Sequence, residues 1–160
     1  MVHRILEVEA KEDCVVEAIF YNGDVVRYDV KALFSVLPQF EVFMDQKELF
    51  GTVQVDTGGL GISWNDKLDL AAEAIWENGV HLEIQRKMDL NHLMAYRLLL
   101  AREKAGMTQK DLAEKTGIYQ ADISKIERGL GNPSLLTLKR LADGLNMDLK
   151  IDFVFRDKES

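Results

Sequence analysis

One segment, residues 107–129, constrains the fold of this chain more than any other. Thr108 is a favourable helix N-cap, and Asp111 follows three residues later, as in a relative of the capping box. Gly117 stands where the helix must end, because glycine tolerates the left-handed conformation that such an ending needs. Gly129 ends a second helix. The segment therefore predicts two short helices joined by a tight turn.

The second of these helices has an apolar face and a polar face. Ile123 and Ile126 are spaced at i and i+3, so they share the buried face, and Ile118 in the turn adds to the core. The opposite face has short, polar or amide-bearing side chains, which suit close approach to base edges in a DNA major groove. These residues are Gln120, Ala121, Ser124 and Lys125.

Apolar residues at helical spacing continue on both sides of this segment. The preceding helix is predicted from the spacing of Met94, Leu98, Ala101 and Ala105. After a loop, Ser134 is a suitable N-cap for a further helix. That helix has on one side Leu135, Leu138, Leu141, Ala142 and Leu145. Residues from about 90 to 146 are therefore predicted to form a bundle of at least four helices.

This bundle resembles the lambda-repressor-like helix-turn-helix family, also called the xenobiotic-response-element type. The resemblance implies that Gln109 contacts a phosphate and that the polar face of the second helix lies over bases. It also implies that Arg102 and Glu127 form an internal ion pair, which ties the first helix to the recognition helix. The predicted DNA-binding residues are Gln109, Lys110, Tyr119, Gln120, Ala121, Ser124, Lys125 and Arg128.

Tyr119 departs from the pattern of this family, which often has Ser or Thr as N-cap of the recognition helix. Tyrosine cannot cap a helix in that way, so either the cap is weaker or the phenol contacts a phosphate. The alternative for the whole bundle is a protein-interaction module that no longer binds DNA. The presence of Gln109, Gln120 and Lys125 favours DNA binding.

Charge is unevenly distributed along the chain. The net charge of −7 is unusual for a DNA-binding protein. Residues 1–88 hold 8 Lys and Arg against 16 Asp and Glu, a net charge of −8, whereas residues 91–146 hold 9 against 6, a net charge of +3. We predict two domains, an acidic one over residues 1–88 and a DNA-binding one over residues 89–160, with the acidic domain directed away from DNA.

The amino-terminal half has the pattern of a small α+β domain. Asn22 and Gly23 are a strong hairpin signal between two apolar strands. Strands are predicted at residues 2–9, 15–21, 25–28, 53–56 and 61–64, and helices at residues 30–37, 45–50 and 69–78. The pattern resembles a small bacterial domain family of unknown function that occurs alone or fused to helix-turn-helix domains. The shared features are the segment 34–37, the Leu49-Phe50 pair, and the strand 61–65 that leads into residues 68–71.

No motif in the chain predicts a catalytic site, a metal or a cofactor. Residues 58–61 lack the spacing and the following helix of a phosphate-binding loop, so they predict a turn. His3, His81 and His92 share no metal-ligand spacing. Cys14 has no basic neighbour in sequence that would lower its pKa, which argues against a nucleophilic role. We therefore expect no enzyme activity.

The last apolar segment, residues 146–156, changes from a helical period to a period of two. Met147, Leu149, Ile151, Phe153 and Phe155 alternate with Asp148, Lys150, Asp152, Val154 and Arg156. This alternation predicts a half-buried strand. A domain that resembles an all-helical fold has no sheet for it to join. The strand would return to the amino-terminal sheet or pair with its counterpart in a second subunit, and we favour the second.

These features predict an α+β chain: a small α+β domain, then an all-α helix-turn-helix domain with a carboxyl-terminal strand. The predicted function is a sequence-specific, homodimeric transcriptional repressor that binds double-stranded DNA. Its amino-terminal domain would sense an effector or bind a partner. With no signal peptide, no long apolar run and a lone cysteine, we expect a cytoplasmic protein that does not enter membranes.

Two alternatives remain open. The first is the antitoxin of a toxin–antitoxin pair, which would repress its own operon and bind a toxin through the amino-terminal domain. The acidic half suits a basic toxin. The second is an enzyme with an appended DNA-binding domain, which would need clustered titratable groups with shifted pKa values in a pocket.

Overall fold

The computed structural model describes residues 2–156, so residue 1 and residues 157–160 of the two predicted domains lie outside it. The chain divides into two compact units, of which the first ends at Leu93 and the second begins at Met94. The first unit is built from strands and short helices, and the second from helices. The chain therefore has the mixed α+β fold that its sequence predicts.

Two antiparallel sheets form the first unit. Its strands are β1 (Ile5–Ala10), β2 (Val15–Phe20), β3 (Asp24–Asp29), β4 (Gln54–Val55), β5 (Gly61–Asn65), β6 (Leu68–Ala71) and β7 (Val80–Gln85). The larger sheet has the order β1-β2-β3-β7 and the smaller sheet the order β4-β5-β6. Gly23 has φ +92° at the turn between β2 and β3, which only glycine adopts readily. The predicted hairpin is confirmed.

Short helices and an aromatic cluster complete the first unit. The α-helices are α1 (Val42–Asp45), α2 (Lys47–Phe50) and α3 (Ala72–Asn78), with 3-10 turns at Val30–Leu33, Pro38–Glu41 and Thr57–Gly59. Phe40, Phe43 and Phe50 surround Trp64 in the core. The Trp64 indole N–H donates to the Phe50 carbonyl at 2.9 Å, so the one polar atom of this ring is satisfied.

Three elements of the first unit differ from the prediction. The helix predicted over residues 69–78 begins only at Ala72, because residues 68–71 form strand β6. Leu68 and Leu70 are buried and their neighbours are exposed, which is the period of a strand. The helix predicted over residues 30–37 is a 3-10 turn that ends at Leu33. Strand β7 was not predicted at all.

Within the described residues the second unit is formed by four helices, as predicted, and the first of them begins shortly before Met94. They are α4 (Leu90–Lys104), α5 (Gln109–Thr116), α6 (Gln120–Glu127) and α7 (Leu135–Gly144). Their shared core is formed by Leu98, Leu112, Ile123, Ile126, Leu141 and Leu145. None of the helices within residues 2–156 has both the length and the apolar character needed to span a bilayer.

The predicted carboxyl-terminal strand is not formed in the single chain. Residues 147–156 have no regular secondary structure, and the two sheets of the described chain contain only β1 to β7. Phe153 and Phe155 are 96% and 98% exposed. The alternating pattern is real, but a strand is stable only when a neighbouring strand pairs with its backbone. The helices of the second unit provide no such neighbour.

Candidate nucleic-acid interface

Helix α5 begins with a complete capping box. The Thr108 backbone N–H donates to Asp111 Oδ2 at 2.9 Å, and the Asp111 N–H donates to Thr108 Oγ1 at 3.0 Å. These bonds satisfy backbone donors that the first turn of a helix leaves unpaired. Hydrogen bonding to Thr108, above all from its backbone N–H, holds the pKa of Asp111 below its usual value of 3.8.

The turn between α5 and α6 is held by backbone geometry and by a side chain from α7. Gly117 has φ +74° and donates its N–H to the Ala113 carbonyl at 2.9 Å, so it ends α5 in the left-handed conformation. Arg140 Nη2 donates to the Thr116 carbonyl at 2.6 Å. This bond satisfies one of the carbonyls that the end of α5 leaves unpaired.

Helix α6 begins without a side-chain cap. Tyr119 occupies the N-cap position with φ −61° and ψ 138°, and its side chain makes no capping hydrogen bond. The side chain is instead 80% exposed. The phenol is therefore available on the surface at the beginning of the candidate recognition helix.

The two faces of α6 have opposite character. Ile123 and Ile126 are buried in the core at 0% and 5% exposure. The other face holds Gln120, Ala121 and Lys125, all exposed, and Ser124, which is half-buried. Lys110 and Arg128 are exposed near the ends of α5 and α6, and Arg128 Nε also donates to the Ser124 carbonyl at 3.3 Å. The solvent side of the two-helix motif thus holds several donor-bearing side chains, together with the exposed carboxylates of Asp111, Glu114 and Asp122.

Arg102 and Glu127 form a buried, forked ion pair. Arg102 Nε donates to Glu127 Oε1 at 2.6 Å, and Nη2 donates to Oε2 at 3.1 Å. Only 9% of the Arg102 side chain and 4% of the Glu127 side chain are exposed. The remaining terminal nitrogen of Arg102, Nη1, donates to the Met107 carbonyl at 2.8 Å. The pair therefore links α4 to the end of α6 and to the residues before α5.

Gln109 differs from the other residues predicted to contact DNA. Its side chain is half-buried, and its amide nitrogen donates to Glu127 Oε2 at 2.8 Å. Sequence analysis did not predict this bond, nor those from Arg102 to Met107 and from Arg140 to Thr116. The bonds of Gln109 and Arg140 join residues that only the packing of the helices brings together, whereas the bond from Arg102 to Met107 is local and spans the end of α4.

Cys14 lines a groove in the first unit together with Phe43, Met44 and Lys47. Burial is the main cause that raises the pKa of the Cys14 thiol. A raised pKa disfavours the thiolate, which is the nucleophilic form of cysteine. Within residues 2–156, no group of three or more His, Cys, Asp or Glu side chains is arranged to hold a metal ion.

Comparison with known proteins finds matches for both halves of the chain. A family model described as helix-turn-helix matches residues 98–151, and a model for a protein of unknown function (DUF2442) matches residues 5–81. An uncharacterized HTH-type transcriptional regulator of Archaeoglobus fulgidus is 38% identical over 66 residues, which are 41% of this chain and 94% of that protein. Another, from Haemophilus influenzae, is 31% identical over 93 residues, 58% of this chain and 86% of that protein. The antitoxin HipB of Escherichia coli O6:H1 is 36% identical over 58 residues, 36% of this chain and 62% of that protein.

The chain therefore belongs to the helix-turn-helix family of DNA-binding transcriptional regulators. Its amino-terminal half matches a domain family to which no function has been assigned. Both resemblances inferred from the sequence are confirmed.

The first prediction concerns the Arg102–Glu127 pair. Because removing one partner leaves the other charge buried and unpaired, Glu127→Ala should lower the free energy of unfolding by about 3–5 kcal/mol. A double-mutant cycle with Arg102→Ala, measured by urea unfolding, should show strong coupling. The control is the exposed pair Lys139–Asp143 on α7, whose side chains are 58% and 59% exposed. That pair should couple by only about 0.3–0.5 kcal/mol. Equal coupling of the two pairs would contradict the prediction.

The second prediction concerns pH and the capping box. The folded-state pKa of Asp111 is lowered, so its stabilising effect is fully present above its usual value of 3.8 and is lost as the pH falls through the folded-state pKa. Asp111→Ala should therefore lower the melting temperature at pH 7, and its difference from the unaltered chain should shrink below about pH 4. Glu114→Ala, at an exposed position on the same helix, should have little effect at either pH. A melting difference at Asp111 that is independent of pH would argue against the capping role.

Proposed function

We propose that this protein is a sequence-specific transcriptional repressor that binds a palindromic operator as a homodimer. The observation that carries the proposal is the exposed polar face of α6. The helix is fixed at its end by the buried ion pair of Glu127. A helix of this size fits the DNA major groove, and its side chains then face the base edges.

The side chains of this face have the chemistry that base recognition needs. Gln120 carries an amide that pairs bidentately with adenine, and Lys125 donates to the acceptors of guanine. Ala121 offers a methyl group for contact with thymine, and Ser124 a hydroxyl that serves either kind of base. These four residues are assigned to base contacts.

Phosphate contacts are assigned to the residues around this face. Lys110, Tyr119 and Arg128 are exposed and carry donors that suit phosphate oxygens. Gln109 joins them from the beginning of α5. The net charge of +3 over residues 91–146 supports the assignment, since cationic side chains release counterions from DNA on binding.

The candidate dimer interface is the segment 148–156, whose residues are all exposed. Its aromatic and aliphatic row includes Ile151, Phe153 and Phe155, of which the two phenylalanines are almost fully exposed. Pairing with the same segment of a second copy would satisfy the backbone and cover this row. A two-fold dimer would also present two recognition helices to half-sites about 34 Å apart or a multiple of that distance, and hence to a palindrome.

The second candidate function is an antitoxin that represses its own operon. Two observations favour it: the similarity to antitoxin HipB, and the net charge of −8 over residues 1–88, which suits a basic protein partner. In either function the amino-terminal unit is the sensing or partner-binding part. A gene for a small basic protein next to this one, whose product co-purifies with the full chain, would favour the antitoxin.

The third prediction tests sequence-specific binding. After selection of the best operator from a random duplex pool, Gln120→Ala and Lys125→Ala should each weaken binding by about 1–3 kcal/mol and relax the preference at the contacted base pair. The reason is that each removes a hydrogen bond to a base edge. Fluorescence anisotropy measures the affinities.

Lys139→Ala is the control for the third prediction, because Lys139 lies on α7 and pairs with Asp143. It should leave operator affinity within about 0.5 kcal/mol of the unaltered chain. The base contacts assigned to α6 would be wrong if the double variant Gln120→Ala, Lys125→Ala bound the selected operator normally.

The fourth prediction concerns the dimer. Removal of residues 148–160 should yield a monomer with much weaker operator binding, because the operator is then held by one recognition helix at a time. Met147 is kept because its N–H donates to the Ala142 carbonyl at 2.9 Å and its side chain packs on the helical core. Sedimentation velocity measures the association state.

A matched pair of point variants refines the test of the dimer. Phe153→Asp places a charge in the apolar row and should disrupt the dimer, whereas Val154→Asp alters the opposite row and should have a smaller effect. Both positions are exposed in the single chain, at 96% and 83%, so neither substitution should unfold it. A truncated chain that still sedimented as a dimer would refute this interface.

A further inference from the structure

One buried carboxylate joins three helices of the second unit. Glu127 is the last residue of α6 and is only 3% exposed. Its Oε1 accepts from Arg102 Nε on α4 at 2.6 Å. Its Oε2 accepts both from Arg102 Nη2, at 3.1 Å, and from Nε2 of Gln109, the first residue of α5, at 2.8 Å. Gln109, which is assigned to a phosphate contact, is therefore hydrogen-bonded to the buried ion pair.

This attachment determines the orientation of the Gln109 amide. An ionised carboxylate accepts hydrogen bonds and donates none, so the amide nitrogen, and not the oxygen, must face Glu127. The nitrogen carries two hydrogens, and the bond to Oε2 uses one of them. The second hydrogen lies in the amide plane and points in another direction. Because Gln109 is half-buried, the residue also keeps a surface that faces solvent.

We propose that the Arg102–Glu127 pair positions Gln109 for DNA. One amide hydrogen stays on Glu127 while the other donates to a phosphate oxygen. This inference rests on the proposed function, since it requires DNA to bind at this surface. An amide already held in its bound orientation loses less conformational freedom when DNA arrives. The ion pair then contributes to DNA affinity as well as to folding. Arg102 and Glu127 are positioning residues, and Gln109 makes the contact.

The test is a double-mutant cycle on DNA affinity, with the full-length chain and a random-sequence duplex at low salt as the probe. The second background carries Arg102→Met and Glu127→Leu, apolar residues of similar size that leave no charge buried alone. In the unaltered background, Gln109→Ala should weaken binding about three- to tenfold. In the apolar background that loss should fall below about twofold, because Gln109 is no longer held in place.

Lys110→Ala is the matched control, since Lys110 is the exposed neighbour of Gln109 and is also assigned to a phosphate. Its effect should be the same in both backgrounds. If Gln109→Ala cost the same in both backgrounds, the positioning role would be overturned. It would also be overturned if Gln109→Ala cost nothing while Lys110→Ala still weakened binding. In both cases the proposed DNA-binding function would stand. An unaltered chain that bound no duplex would overturn both proposals.

Side-chain amide NMR of the unaltered chain gives a second test, which holds even if the apolar background does not fold. The two hydrogens on Gln109 Nε2 should give separate resonances. Saturation with the random-sequence duplex should shift mainly the hydrogen that does not face Glu127. If neither resonance moved, or both moved equally, the proposal would be overturned.

Discussion

The geometry of the second unit depends on the hydrogen bonds that the Glu127 carboxylate accepts. This carboxylate lies at the end of α6, accepts the Arg102 fork from α4 and binds Gln109 at the beginning of α5. Taking both charges out of water is costly, and the cost is recovered only because the fork geometry is good and further donors are satisfied, among them Arg102 Nη1 on the Met107 carbonyl. A well-packed apolar pair would stabilise the helices as well. The ionic pair differs in that its two hydrogen bonds also fix the orientation of α6 relative to α4. A recognition helix requires a fixed orientation.

Features that depend on a few neighbouring residues could be predicted from the sequence. The capping box of Thr108 and Asp111, the left-handed Gly117 and the hairpin at Gly23 each follow from the conformational preferences of one or two residues. The apolar spacing of Ile123 and Ile126 likewise identifies the buried face of α6. For this reason the candidate interface, which is built from helix ends and one helix face, could be located from the sequence. Among the contacts between its helices, only the Arg102–Glu127 pair was expected, and it was expected from the family resemblance.

Features that depend on distant partners were missed or wrongly assigned. The apolar residues of segment 68–71 run without a break into those of α3, so the sequence does not separate the two elements. Pairing with β5 makes residues 68–71 a strand. Strand β7 pairs with β3, which lies more than fifty residues earlier in the chain. The segment 147–156 shows the opposite case, since its alternation is that of a strand but the single chain offers it no partner. A period of two identifies a segment able to pair, and it does not show what the segment pairs with.

The acidic first unit does not conflict with DNA binding at the second. Charges in physiological salt are screened beyond about 8–10 Å, so the field at the phosphates is set by the side chains nearest to them. Under the proposed function those side chains include Lys110, Lys125 and Arg128, within a segment whose net charge is +3. The net charge of −7 for the whole chain is therefore a poor guide to affinity. Under the proposed function, the slope of DNA affinity against salt concentration should instead count the phosphates that the cationic side chains of the second unit neutralise.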